Sequence, residues 1–269
     1  MGKGVTTWDM MASAASRATR RDYLEKFDAR AYARMMNNLT KSQVSFQQEE
    51  LRRLFQSDLV QGKTLLDVGT GPSICRLFAL SRHFNDIVLS DLVEGCRLEL
   101  NKWISKDEDA VDWTARAEEF AELESYSDIK KGTLEIQERT RSSIRKVVPC
   151  DVLEPGVLPG EHRETFDVVF SGGTLESAAV DEESYRIVVK NVAALLKPGG
   201  LLVLAGFGGL KNTYRLGTAD FPLPNFTEDV IKQALKDAGF EVLVDRTKRS
   251  AAEFGTPEVF AFVFAARKP

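Results

Sequence analysis

The stretch LDVGTGPS, residues 66–73, decides the expected fold of this chain. A short apolar run leads into it as a buried strand, and two glycines then make a tight turn before an expected helix. Glycine accepts positive φ and lets a ligand approach the backbone, and ligands of open α/β sheets bind at such strand ends. A G-x-G-x-x-G dinucleotide motif would need glycine where this chain has Ile74. Pyrophosphate is therefore disfavoured, and the carboxylate of an amino acid fits better.

Outward from this stretch, short apolar runs alternate with helical stretches. Strands are predicted at 64–68, 87–91, 147–148, 166–170, 201–205, 241–245 and 259–265, and helices at 73–82, 94–105, 182–196 and 227–238. This alternation predicts an α/β protein with a doubly wound, Rossmann-like sheet of seven mostly parallel strands, covered on both faces. Residues 1–60 form a separate helical segment before the main domain, 61–269, and residues 107–146 form a helical insert within it.

The composition narrows the possible partners. The chain has 269 residues, a net charge of -4 and a pI near 5.5, which do not favour a nucleic-acid partner. Three separate cysteines and two histidines predict no metal site. No apolar run reaches membrane-span length, and no signal core is recognisable, so we expect a cytoplasmic monomer that does not contact membranes.

Two further strand ends carry acids suited to a nucleoside. Asp91 ends the second strand, where a carboxylate can accept hydrogen bonds from both ribose hydroxyls. Asp151 follows the third strand and can accept a hydrogen bond from the exocyclic amine of adenine, while the backbone N–H of Val152 can donate one to a ring nitrogen. Gly172 follows the fourth strand, where a small residue lets a ligand lie against the backbone.

These features, in this order, resemble class I methyltransferases. Closer detail resembles the small-molecule group that includes nicotinamide, phenylethanolamine, indolethylamine and thioether methyltransferases. The resemblance covers roughly residues 20 to 268, and its matching pieces are YLEKF at 23–27, Tyr32, DVGTGP at 67–72, SD at 90–91, LNKW at 100–103, CDV at 150–152, LLKPGG at 195–200, and Tyr214 with Gly217.

The resemblance implies S-adenosylmethionine as cofactor, with residues 1–60 folding over it as an N-terminal helical lid. It implies that the cofactor is held by Tyr23, Tyr32, Gly69, Thr70, Gly71, Ser73, Asp91, Leu92, Cys96, Asp151, Val152 and Gly172. The tyrosines would touch the methionine end, and the glycine turn with Ser73 would hold its carboxylate and amine. Cys96 stands where the family often has asparagine, which weakens one polar contact.

The acceptor side departs further from the family. Enzymes of this group that bind cationic amines carry an acid just after the fifth strand, but neither Gly208 nor Lys211 supplies one. Glu176, after the fourth strand, matches another acid of the amine pocket and is our candidate catalytic residue. The candidate substrate-binding residues are Tyr214, Phe207 and Asn37.

The preferred function is methyl transfer to a nitrogen of a small amine or pyridine-like acceptor. A thioether S-methyltransferase and a catalytically silent cofactor-binding protein are the main alternatives, the latter because of the missing acids. A nucleic-acid or protein methyltransferase is disfavoured by the run SGGT at 171–174, which replaces an N-P-P-Y-like motif. A dehydrogenase is disfavoured by Ile74 and by the turn at 197–200.

Overall fold

The computed structural model describes residues 12–39, 41–210, 213–222, 225–249 and 256–269. Its helices are α1 (Ala14–Lys26), α2 (Ala29–Asn37), α3 (Lys41–Phe55), α4 (Leu77–Leu80), α5 (Glu94–Ile104), α6 (Thr114–Leu123), α7 (Ile129–Ser143), α8 (Leu175–Ala178), α9 (Glu182–Ala193) and α10 (Glu228–Asp237). Its strands are β1 (Thr64–Val68), β2 (Asp86–Asp91), β3 (Ile144–Pro149), β4 (Phe166–Gly172), β5 (Leu196–Gly208), β6 (Thr213–Leu216), β7 (Ala219–Pro222), β8 (Glu241–Arg249) and β9 (Phe260–Arg267).

The main sheet has seven strands in the order β3-β2-β1-β4-β5-β9-β8. Neighbouring strands are parallel from β3 to β5, and β9 runs antiparallel to both β5 and β8. Chain order reverses at β1, which has β2 on one side and β4 on the other. This confirms the predicted fold class, and it places a topological switch point beside the glycine turn.

Both faces of the sheet are buried, because successive strand residues point to opposite sides. In β1, Leu66 and Val68 join one apolar layer with residues of α9 and α10, whereas Leu65 joins the other with residues of α3 to α7. The covering helix α9 begins at a capped residue, since Asp181 accepts from Ser184 N at 2.8 Å. Apolar packing on both faces therefore fixes the strand ends that carry the site.

Several elements differ from the sequence prediction. Only the four residues of α4 are α-helical within the helix predicted at 73–82, because Leu77 N bonds Ile74 O three residues back and the chain turns tightly there. β5 begins at Leu196, so the turn signal at 197–200 lies within a strand that has an irregular register. β6 and β7 form a separate hairpin that was not predicted.

The N-terminal helices do not all pack in the same way. α1 is tied to the start of α9, since Ser13 N donates to Ser184 Oγ at 2.9 Å and Val180 N donates to Ser16 Oγ at 3.1 Å. α3 instead enters the core through Leu51 and Phe55, both fully buried. No helix within the described part of the chain is both long and apolar enough to cross a membrane.

Candidate active site

The carboxyl ends of β1 to β4 meet at one edge of the sheet and form the floor of a cavity. The turn after β1 is shaped by two glycines in the left-handed region, Gly69 at φ 68° and Gly71 at φ 66°. Gly173, after β4, has φ 77°, and nothing lies within 4 Å of where a Cβ would stand. Gly71 and Gly173 keep the floor open to a ligand at the switch point between β1 and β4, whereas Gly69 makes room for Thr174 to pack against the turn.

Asp91 joins the turn to the neighbouring strand end. Its Oδ2 accepts from Gly71 N and its Oδ1 from Val93 N, both at 2.8 Å. Burial raises the pKa of the Asp91 carboxyl, and these two backbone bonds act in the opposite direction. The Cys96 thiol, which burial keeps protonated by raising its pKa, also bonds Asp91. Asp91 is therefore held rigidly at the cavity wall, with lone pairs left for ligand hydroxyls.

The cavity has a volume of about 900 Å³ including its mouth. The expected cofactor-binding residues on its wall are Tyr23, Tyr32, Gly69, Thr70, Gly71, Ser73, Asp91, Leu92, Cys96, Asp151, Val152 and Gly172. That is the complete predicted set. The structure also brings Tyr214 to this wall, the residue expected to contact the acceptor.

Asp151 closes one end of the cavity together with helix α1. Its Oδ1 accepts from Leu153 N at 3.1 Å, and its Oδ2 forms an ion pair with Arg20 of α1. Val152 and Leu153, both largely buried, add an apolar surface beside this carboxylate. A flat heterocycle with an exocyclic amine suits this end, because it needs apolar contact on its faces and an acceptor at its edge.

Aromatic side chains lie over the other part of the cavity. The hydroxyls of Tyr23 and Tyr214 are 3.3 Å apart, and the rings of Tyr32 and Tyr214 have centroids 6.3 Å apart. Burial raises the pKa of Tyr23 to about 12, so its hydroxyl is neutral at physiological pH. Neutral aromatic faces attract cations, which suits a ligand with positive charge at this position.

Three predicted substrate-side residues lie away from this wall. Glu176 is buried behind it at 3% exposure, and its Oε1 lies where a Cβ on Gly206 would come within 2.1 Å. Asn37 donates from Nδ2 to Asp112 O at 2.9 Å, and Phe207 lies in β5 opposite Ala261. Gly208 is buried in the same strand, and Lys211 lies outside the described residues.

The cavity also includes residues that the sequence did not single out. They come from α1 and α2 and from the loops at the strand ends: Arg20, Phe27, Met36, Arg76, Val93, Cys150, Leu153, Gly173, Thr174, Ser177 and Ala178. Several directly neighbour a predicted residue in sequence. Arg76 could have been singled out from the sequence, because it is a lone cation five residues after Gly71, next to a turn expected to hold an anion.

Solved structures that share this fold include methyltransferases that use S-adenosylmethionine. The magnesium protoporphyrin IX methyltransferase of Synechocystis PCC 6803, crystallised with bound S-adenosylmethionine, superposes with a TM-score of 0.55 over 96% of this chain and 99% of that one. At 13% identity this likeness shows the fold alone.

Sequence comparison identifies the family. Residues 10–268 match the NNMT/PNMT/TEMT family. The indolethylamine N-methyltransferase of Oryctolagus cuniculus is 33% identical over 233 residues, covering 84% of this chain and 85% of that protein. The nicotinamide N-methyltransferase of Homo sapiens is 32% identical over 228 residues, covering 82% of this chain and 81% of that protein. This chain belongs to the NNMT/PNMT/TEMT family. It is an S-adenosylmethionine-dependent methyltransferase.

The residues of the cavity fit this cofactor. Asp91 presents carboxylate oxygens for ribose, and Val152 with Asp151 offers the apolar surface and acceptor that adenine needs. The open space above Gly173 leaves room for the methionine end of the cofactor. The tyrosine hydroxyls are neutral and are therefore compatible with its positively charged sulfur.

Proposed function

We propose that this enzyme transfers the methyl group of S-adenosylmethionine to a nitrogen of a small amine or pyridine-like acceptor. It would act as a cytoplasmic monomer without a nucleic-acid partner. The observation that carries the proposal is the convergence of the complete set of expected cofactor residues, with Tyr214, on one cavity. The two relatives described above, each named an N-methyltransferase, support nitrogen as the methylated atom.

The proposed mechanism relies mainly on positioning. The cofactor supplies a methyl group on a positively charged sulfur with a neutral leaving group, so the protein has no leaving group to protonate. Tyr23, Tyr32 and Tyr214 would orient the acceptor and exclude water, and alignment of this kind is worth up to about 7–11 kcal/mol in model reactions. A protonated amine must also lose a proton, whereas a pyridine nitrogen need not.

We propose that Glu176 takes up that proton. Burial raises the pKa of its carboxyl to about 7, and its Oε1 has no hydrogen-bond partner within the described chain. A carboxyl with this pKa exchanges protons readily near neutral pH. It lies behind the cavity wall, so a proton would reach it through water or through a side chain that moves.

Glu176→Gln should lower kcat for amine acceptors about 100-fold, because glutamine cannot accept the proton. In the parent, kcat/KM should rise with pH through about 7, the pKa of Glu176 in the free enzyme, and the variant should lack this rise. Glu183→Gln, an exposed acid at the start of α9, is the matched control. Turnover that is unchanged in Glu176→Gln would remove Glu176 from the mechanism.

The test of the overall proposal is transfer of a labelled methyl group from S-adenosylmethionine to a panel of small acceptors. The panel contains an arylethylamine, a pyridine carboxamide and a dialkyl thioether. We expect N-methyl products identified by mass spectrometry. Transfer only to the thioether would favour S-methylation, and cofactor binding without transfer to the amine or the pyridine would contradict the proposed acceptor class.

We further propose that the N-terminal helices act as a lid, with α1 and α2 covering the cofactor. The ion pair between Arg20 and Asp151 ties α1 to the adenine end of the cavity. Arg20→Ala should therefore release S-adenosylhomocysteine about ten times faster in stopped-flow experiments, since a charge-assisted contact is worth about 1.5 kcal/mol or more. The exposed Arg21 on the same helix gives the control, Arg21→Ala. Equal release rates in both variants and the parent would contradict the lid.

A further inference from the structure

Arg76 occupies a distinctive place at the switch point of the sheet. It immediately precedes α4 and lines the cavity, and its guanidinium lies against the backbone at the end of β4. A Cβ on Gly172 would stand 2.7 Å from Nη1 and 2.8 Å from Cζ of Arg76. The glycine at position 172 thus makes room for this guanidinium, and Nη1 donates to Gly172 O at 3.2 Å.

The charge of Arg76 has little compensation. No carboxylate within the described ranges lies close enough to form an ion pair with it, in contrast to Arg20, which pairs with Asp151. Two buried acids are near enough for Arg76 to affect them, Asp67 and Glu176, and burial raises the pKa of each to about 7. Each acid is about half ionised at neutral pH, and neither is hydrogen-bonded to the guanidinium, so the charge and the remaining N–H donors of Arg76 stay available at the cavity wall.

The backbone donors of the glycine turn are already engaged. Gly69 N and Thr70 N both donate to Ser90 O, at 2.8 and 2.9 Å, and Gly71 N donates to Asp91. The sequence predicted that this turn would hold the carboxylate of the cofactor. With its N–H groups used to join β1 to β2, the strongest remaining donor on this part of the wall is Arg76.

We propose that Arg76 is the carboxylate-binding residue of the cavity and that its guanidinium holds the α-carboxylate at the methionine end of the cofactor. The planar guanidinium matches a carboxylate with two parallel hydrogen bonds. Arg76 thus takes over the anion-binding task expected of the turn, and Asp91 keeps the turn closed. This assignment rests on the proposed use of the cavity by the cofactor.

The test is calorimetric titration with S-adenosylhomocysteine and with its decarboxylated analogue, which lacks only the carboxylate. The parent should bind S-adenosylhomocysteine about 30-fold more tightly than the analogue, as expected for charged hydrogen bonds. In Arg76→Gln this preference should fall below about threefold, while the affinity for the analogue stays near that of the parent. Arg76→Lys should keep part of the preference, because it retains the charge but not the two-pronged geometry.

Arg82→Gln is the control, since Arg82 pairs with Glu124 and is not on the cavity wall. It should show the preference of the parent. The proposal is overturned if the parent binds both ligands equally, a result that does not depend on any variant folding. It is also overturned if Arg76→Gln keeps the full preference for S-adenosylhomocysteine. In both cases the proposed function stands, because the cofactor site is still occupied. A folded parent that binds neither ligand would overturn both.

Discussion

Asp91→Ala is expected to raise the dissociation constant for S-adenosylhomocysteine at least 100-fold. The substitution removes the proposed acceptor of the two ribose hydroxyls, and hydrogen bonds to a charged group are worth about 1.5–3 kcal/mol each. It also frees the N–H groups of Gly71 and Val93, which Asp91 holds at 2.8 Å. Isothermal titration calorimetry of the parent and variant measures the effect.

Two companion variants separate binding from folding. Asp86→Ala changes the acid at the opposite end of the same strand, which pairs with Arg145, and should bind as the parent does. Asp91→Asn keeps the size of the side chain but places an amide donor where one acceptor was, so an intermediate loss is expected. If a folded Asp91→Ala protein binds within about threefold of the parent, less than 0.7 kcal/mol, Asp91 is not the ribose ligand.

Gly69→Ala is expected to lower the free energy of unfolding by about 3 kcal/mol. Position 69 has φ 68°, which costs an L-residue about 1–2 kcal/mol. The new Cβ would stand 2.2 Å from Thr174 Cγ2, and such overpacking costs a further 1–3 kcal/mol. Denaturant titration followed by circular dichroism gives the value, and binding of S-adenosylhomocysteine should weaken in parallel.

The steric and backbone contributions can be separated. Thr174 Cβ would itself lie 2.6 Å from the new methyl group, so the whole neighbouring side chain is removed in the double variant Gly69→Ala with Thr174→Gly. Compared with Thr174→Gly alone, which also loses the bond that Thr174 Oγ1 donates to Gly69 O at 2.8 Å, the double variant should show only the backbone part. Gly160→Ala is the neutral control, because no atom lies within 4 Å of its Cβ position and its φ is not positive. Equal unfolding free energies in Gly69→Ala and the parent would show that the turn rearranges without cost.

The sheet could be predicted because its strands are short, apolar and separated by helices, and two buried faces leave few arrangements for such a pattern. Helix 73–82 was predicted too long because side-chain pattern alone does not reveal tight turns such as that between Ile74 and Leu77. The β6–β7 hairpin was missed because four-residue strands carry too little pattern.

The cofactor side could be predicted for a geometric reason. Residues at the carboxyl ends of adjacent parallel strands meet at one edge, so Gly69, Asp91, Asp151 and Gly172 are neighbours once the strand order is known. Tyr23, Tyr32 and Tyr214 came from family resemblance, because no local rule brings distant segments together.

The acceptor side was less accessible to sequence reasoning. The side chains of Glu176, Phe207 and Asn37 depend on how loops and helices pack onto the sheet, and none of the three lines the cavity. Arg76 was overlooked because the segment was interpreted as an ordinary helix. Its place against Gly172 depends on contact between residues 96 positions apart.

The buried acids around the cavity couple ligand binding to protons. Burial raises the pKa values of Asp67 and Glu176 to about 7, so near neutral pH part of this pair is protonated. A positively charged sulfur brought close to them favours their ionised forms and expels protons to the solvent. The neutral sulfur of the product does so less. Affinity for the cofactor should therefore rise with pH more steeply than affinity for the product, and a mildly alkaline medium should relieve product inhibition.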